Sequence, residues 1–265
     1  MFLYVPKCGG TSLGRATRDR HVSLRFRDRE ELCHLDARAS VDAVWTADND
    51  TVFDALSVDD YAILRFREQL VAYYISKPTM RYGQAHSPYN EHIYNEFHNR
   101  FVFITMLRDP VKMWQSAYFY NRNTPPDRRT HELSPDEYLD TDMAGAVDFQ
   151  YVKFFGGTML AGDYTARDAI DHAKRNLERF DLVGILEHKD DLLDRFSERF
   201  GVRLRLPHKN VTPKSSKARS SQLTAEIEDR IRAMCAPNQE VYDFAIAAIV
   251  LTWNRAVMTI RSIGT

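Results

Sequence analysis

The chain has 265 residues, 44% of them hydrophobic, which suits one large α/β domain spanning 1–265. Its 36 Lys and Arg nearly balance 37 Asp and Glu, so wholesale basicity gives no support for nucleic acid binding, and any anion site must be a local cluster. Three scattered cysteines (Cys8, Cys33 and Cys235) argue against a disulfide framework or zinc site, and no apolar run is long enough to span a bilayer. No signal peptide precedes the first strand, so a cytoplasmic setting is expected.

In chain order, the first predicted element is the most informative. Phe2 to Val5 is a short run of strand formers that stops at Pro6. Lys7, Cys8, Gly9, Gly10, Thr11 and Ser12 follow, and a helix is expected from Thr11 to about Arg18. The two glycines let the backbone turn sharply and present its N–H groups. The first turn of a helix carries unpaired N–H groups and a partial positive charge. With a lysine and two hydroxyls added, the pattern suits a phosphate or sulfate group. The same residues also fit an ordinary strand-to-helix turn with a surface lysine. A Walker A loop places its lysine after the glycines, whereas here Lys7 precedes them.

The stretch from His21 to Asp50 is mixed and gives no element; Cys33 and His34 adjoin there without a second metal-like pair. Asp59 to Ser76 is a helix by its apolar spacing, with Pro78 ending it. A strand over Arg81 to His86 leaves His86 at a strand end beside a turn, and a helix over Asn90 to Asn99 follows. Phe101 to Leu107 has the continuous apolar run of a central parallel strand. It ends at Arg108-Asp109, and Pro110 suits the first position of the next helix. Ser116 lies about two turns along that helix. Arg108 and Ser116 could converge on one phosphate through an arginine fork and a hydroxyl; an Arg108–Asp109 surface pair is the plainer alternative.

Asn121 to Glu132 is a polar loop, and Ser134 with Glu137 forms a capping pattern. Helices are expected over Asp148 to Phe155, Thr165 to Phe180 and Lys189 to Phe200, with a strand over Leu182 to Leu186. His208 to Ser221 is a basic loop carrying Lys209, Lys214, Lys217 and Arg219, either solvated or a lid over an anion. Two helices, Thr224 to Cys235 and Asn238 to Ile260, complete a helical C-terminal part.

Together, PKCGGTSL and LRDPVKMWQSAYFY resemble sulfotransferases that use 3′-phosphoadenosine 5′-phosphosulfate (PAPS), most nearly the carbohydrate branch that includes heparan sulfate 2-O-sulfotransferases. Weaker similarity runs through DFQYVKFFGG, FDLVGILEHKDDLLDRF and NQEVYDF. The resemblance implies an α/β fold with a P-loop-like central parallel sheet flanked by helices. It implies that Lys7, Cys8, Gly9, Gly10, Thr11 and Ser12 bind the phosphosulfate, and that Arg108 and Ser116 bind the 3′-phosphate. It also implies that His86 is the catalytic base, and that Lys214, Lys217 and Arg219 close over the nucleotide. Met113 stands where the second motif often has a basic residue, which removes one supporting contact, and His21 to Met80 does not align.

The expected chemistry is in-line sulfuryl transfer from PAPS to a hydroxyl of a glycan or glycoconjugate, releasing 3′-phosphoadenosine 5′-phosphate (PAP). Histidine takes the acceptor proton, and Lys7 with the loop N–H groups meets charge on the leaving phosphate. No metal is implied. Two other readings stay open: a P-loop nucleotide kinase or NTPase, and a non-catalytic PAPS- or PAP-binding protein. Glu68 and His92 are alternative bases, and a lipid-linked glycan, a small metabolite or a protein tyrosine are alternative acceptors.

Overall fold

The computed structural model describes residues 1–24, 32–47, 60–123, 131–141, 144–145, 149–157, 164–206 and 222–248. Among the described residues, five short strands form one parallel sheet: β1 (Phe2–Leu3), β2 (Leu32–His34), β3 (Tyr82–Ala85), β4 (Ile104–Leu107) and β5 (Leu182–Ile185), in the order β2-β3-β1-β4-β5. The α/β class and parallel sheet expected from the sequence are present. Registers are set by pairs such as Phe2 with Gln84 and Ile104, and Leu107 with Ile185.

The helices are α1 (Gly10–Leu24), α2 (Ala37–Ala47), α3 (Asp60–Ser76), α4 (Glu91–Phe97), α5 (Pro110–Asn123) and α6 (Pro135–Leu139). After them come α7 (Gln150–Gly156), α8 (Arg167–Leu177), α9 (Lys189–Phe200), α10 (Ala225–Met234) and a helical stretch over 236–248. Side chains alternate across the strands, so neighbouring residues pack in different layers. Phe2, Ile104, Met106 and Leu182 join Leu13 of α1 and Leu192 of α9 on one face. Leu3, Leu107 and Ile185 join Val71 and Ile75 of α3, Val152 of α7 and Ile170 of α8 on the other. Burying each such side chain contributes about 1.5–3 kcal/mol.

Several boundaries differ from expectation. Helix α1 runs on to Leu24, past the expected end near Arg18. The strand β2 and helix α2 fall in the stretch that gave no element. Pairing in β4 begins only at Ile104, because the Phe101 N–H bonds back to Phe97 and the Phe103 N–H is taken by the Asp181 carboxylate. The Ser134–Glu137 capping box forms as expected. Gly201, in the left-handed region at φ 64°, ends α9. Among the described residues, no helix is long and apolar enough to cross a membrane.

Candidate functional site

The chain leaves β1 toward β2 and leaves β4 toward β5, so the strand order reverses between the adjacent strands β1 and β4. In open α/β sheets such a reversal opens a crevice outside the carboxyl ends of the strands. Both sequence motifs lie there, one after β1 and one after β4.

The first loop is sharply bent. Lys7 has φ 60° and Gly9 φ 77°, both in the left-handed region. For lysine that conformation is strained by about 1–3 kcal/mol, a cost typical of functional loops. A Cβ on Gly9 would lie 2.7 Å from the Met106 methyl and 2.8 Å from Leu186 Cδ1, and one on Gly10 would lie 2.4 Å from the Tyr4 ring. Glycine suits position 9 because of its positive φ, and position 10 because the backbone lies against the Tyr4 side chain. The Ser12 and Leu13 N–H groups bond back to the Gly9 carbonyl, at 3.1 and 3.2 Å. Helix α1 then starts at Gly10, with Thr11 exposed and Ser12 half-buried in its first turn.

The second loop meets the first directly. Arg108 Nη1 donates to the Lys7 carbonyl at 3.2 Å, which uses only part of the guanidinium's donor capacity. Arg108 Nε lies 4.0 Å from Glu187 Oε1, an ion-pair distance too long for a hydrogen bond. The Asp109 carboxylate caps α5 by accepting from the Lys112 N–H at 2.9 Å. Its own N–H donates to Glu187 at 3.3 Å. Asp109 is therefore a helix cap, and among the described residues Glu187 is the acid at ion-pair distance from Arg108, rather than the surface pair Arg108–Asp109 allowed by the sequence.

On α5, Ser116 and Tyr120 are four residues apart and share a helix face. The Lys7 ammonium lies over the Tyr120 ring, 3.0 Å from its centroid, a cation–π contact that brings the lysine onto that face. Met113, one turn before Ser116, is buried, with its sulfur 3.7 Å from Cys8 Sγ. It packs beneath the loops instead of facing a ligand, so the position expected to lack a basic contact supplies apolar support.

The Cys8 side chain is wholly buried, and burial pushes its thiol up to about 12. The thiol stays protonated, and only the Cys8 backbone can face an anion. Its Sγ lies 3.3 Å from the Tyr151 hydroxyl, which also bonds the Arg108 N–H at 2.7 Å and the Arg108 carbonyl.

His86 follows β3 at the same rim of the sheet. Its Nδ1 lies 3.0 Å from the Tyr4 carbonyl, which can only accept, so Nδ1 carries the proton and Nε2 is the basic nitrogen of the neutral ring. The ring packs between Tyr4 and Phe154, with centroids 5.2 and 4.9 Å away. Buried Arg67 steadies this turn, donating to the His86 carbonyl at 3.3 Å and to Ser40 at 2.8 Å. Of the alternative bases, Glu68 is buried with Arg65 3.7 Å away, and His92 is exposed on α4. Lys214, Lys217 and Arg219 lie outside the described residues.

Sequence reading missed Tyr120, Tyr151, Glu187 and Tyr242 as parts of this site. Tyr242 donates to the same Glu187 oxygen as Asp109, at 3.3 Å. Tyr151, Glu187 and Tyr242 sit in DFQYVKFFGG, FDLVGILEHKDDLLDRF and NQEVYDF, the stretches to which the expected resemblance extends, and that expectation was the available signal. A cavity of about 350 Å³, lined by Phe2, Leu13, Ile104, Phe196 and Leu204 among others, opens at the opposite end of the strands and is no part of the site. Among the described residues, no group of His, Cys, Asp and Glu is arranged to hold a metal ion.

The arrangement brings an ammonium, a guanidinium, hydroxyls and a helix N-terminus to the carboxyl ends of β1 and β4, with an oriented imidazole following β3 at the same end of the sheet. Such a set can hold two anionic groups and accept a proton. Neither the known family models nor the curated proteins include a match to this chain.

Proposed function

We propose that the protein is a sulfotransferase that moves a sulfuryl group from PAPS to a hydroxyl, with a carbohydrate as the favoured acceptor class. The observation that carries this reading is the bond from Arg108 to the Lys7 carbonyl, by which two separate anion-type motifs meet at the carboxyl ends of β1 and β4. A donor with a 5′-phosphosulfate and a 3′-phosphate needs two anion subsites a nucleoside apart. We read the β1–α1 loop as the first and Arg108 with Ser116 as the second, on a P-loop-like sheet.

In this scheme the loop N–H groups and Lys7 bind the bridging phosphate. They gain strength as charge grows on it in the transition state, which is where electrostatic catalysis acts. Lys7 leaves the Tyr120 ring to do so. His86 takes the acceptor proton at Nε2 while the Tyr4 carbonyl holds Nδ1–H. The S–O bond to the phosphate breaks as the bond to the acceptor oxygen forms, and PAP leaves. Fixing donor and acceptor in line supplies most of the remaining rate enhancement.

The test is incubation with PAPS labelled in its sulfuryl group and a panel of oligosaccharide, lipid-linked and phenolic acceptors. Label in an acceptor, with stoichiometric PAP, supports the reading. Binding of PAPS without transfer to any acceptor would leave a nucleotide-binding protein instead.

A further inference from the structure

Three groups from the two loops meet at one atom, the Tyr151 hydroxyl oxygen. Its proton goes to the Arg108 carbonyl, and its lone pairs face the Arg108 N–H at 2.7 Å and the Cys8 thiol at 3.3 Å. Tyr151 has no exposed surface, and its own N–H is held by the buried Asn238 side chain at 2.8 Å. The hydroxyl is thus anchored from behind by the 236–248 helix and reaches both loops in front.

A buried hydroxyl needs one or two partners to be satisfied. This one binds both backbone groups of the residue where β4 turns into α5, and also the residue next to Lys7. In a parallel sheet, the ladder would otherwise satisfy that N–H and C=O. Here a side chain has replaced the ladder at the position where the chain must open outward.

We propose that Tyr151 is a positioning residue whose hydroxyl sets the spacing between the two anion subsites, and so specifies a ligand with anionic groups at both ends of a nucleoside. This rests on the reading of the two loops as one nucleotide cradle. Without the hydroxyl, the Arg108 N–H and C=O lose a buried partner, and a small backbone shift to regain one carries the guanidinium with it. The 3′-phosphate contact weakens, while the Lys7 loop keeps its own glycine-set bend.

The test is the ratio of affinities for PAP and 5′-AMP, measured by calorimetry in wild type and Tyr151→Phe. PAP engages both subsites and AMP only the first. We expect wild type to prefer PAP, and the variant to lose about tenfold or more of that preference, as expected for an unmade buried bond, with AMP affinity nearly unchanged. A merely structural role would lower both affinities together and leave the ratio intact.

An unchanged ratio in Tyr151→Phe overturns the positioning role and leaves the cradle standing. No preference for PAP in wild type overturns the cradle and the positioning role together. If Tyr151→Phe does not fold, Cys8→Ala carries the test. It removes one leg of the same junction and should narrow the ratio by about two- to fivefold, and an unchanged ratio there overturns the proposal.

Discussion

On one side of α5, Met113 touches Cys8 and Tyr120 carries the Lys7 ammonium; on the other, Trp114 and Tyr118 stack against each other, meet Tyr138 edge-on, and Tyr118 packs at a tilt against His131. Beside Met113, the polar groups of Cys8, Tyr151 and the Arg108 backbone are joined in one hydrogen-bonded junction. In the aromatic cluster, Trp114 Nε1 and both His131 ring nitrogens are buried with no partner among the described residues. Apart from the Tyr118 hydroxyl, which donates to the Leu133 carbonyl at 2.8 Å, that cluster holds its shape by area and ring contact, such as the 4.3 Å between His131 and Tyr138. Both sides hold a buried atom without a hydrogen-bond partner among the described residues, Arg108 Nε being the one at the site, but at the junction hydrogen bonds fix the backbone that carries the charge. The contrast separates residues that hold α5 in place from residues that aim what it carries.

The largest expected effect falls on the packing side. Trp114→Ala removes a ring that is 1% exposed and should cost about 3–5 kcal/mol, read as a lowered midpoint in denaturant. Molecules that remain folded should keep their preference for PAP over AMP. Loss of that preference in the folded fraction would break the separation between the two sides.

On the other side, Lys7→Ala and His86→Ala should each cut turnover by about a hundredfold or more, while the thermal midpoint moves little. At position 7 alanine keeps the left-handed backbone and removes only the side chain, whose ammonium lies over the Tyr120 ring. Near-normal sulfation at saturating PAPS would remove the tested residue from the mechanism.

A smaller effect should follow pH. Burial, with a lesser contribution from Arg122, lowers the His131 pKa below its ordinary 6.5. The folded state therefore prefers the neutral ring, and this contribution to stability is full above about pH 6.5. It is lost as pH falls from there through the folded value, because the unfolded chain binds the proton first. Melting curves from pH 8 downward should show wild type losing stability faster than His131→Phe below that point. Parallel curves would mean that the ring is not held neutral.

Local pattern made part of this legible. The Gly9-Gly10 break after a β-forming run, Pro110 opening a helix after a buried strand, and the Ser134–Glu137 box each carry their signal within a few residues. What the sequence hid is long-range. Tyr151 reaches Arg108 across 43 residues and Glu187 reaches Asp109 across 78, and no periodicity encodes either partner. The strand β2 escaped notice because three residues, Leu32–His34, are too few to show alternation. Helix α1 outlasted its expected end near Arg18 because Asp19, Arg20 and His21 continue it with no apolar signal in the sequence, the buried Leu13 and Thr17 lying within the expected span.

Thermal stabilisation by PAP without magnesium, compared with magnesium-ATP, tests most directly whether the two loops form one cradle. With PAP at about a hundred times its dissociation constant, we expect the melting midpoint to rise by about 5 °C or more, and magnesium-ATP to raise it far less. Equal stabilisation by magnesium-ATP, or none by PAP, would contradict the assignment of Lys7 and Arg108 to a single doubly anionic nucleotide.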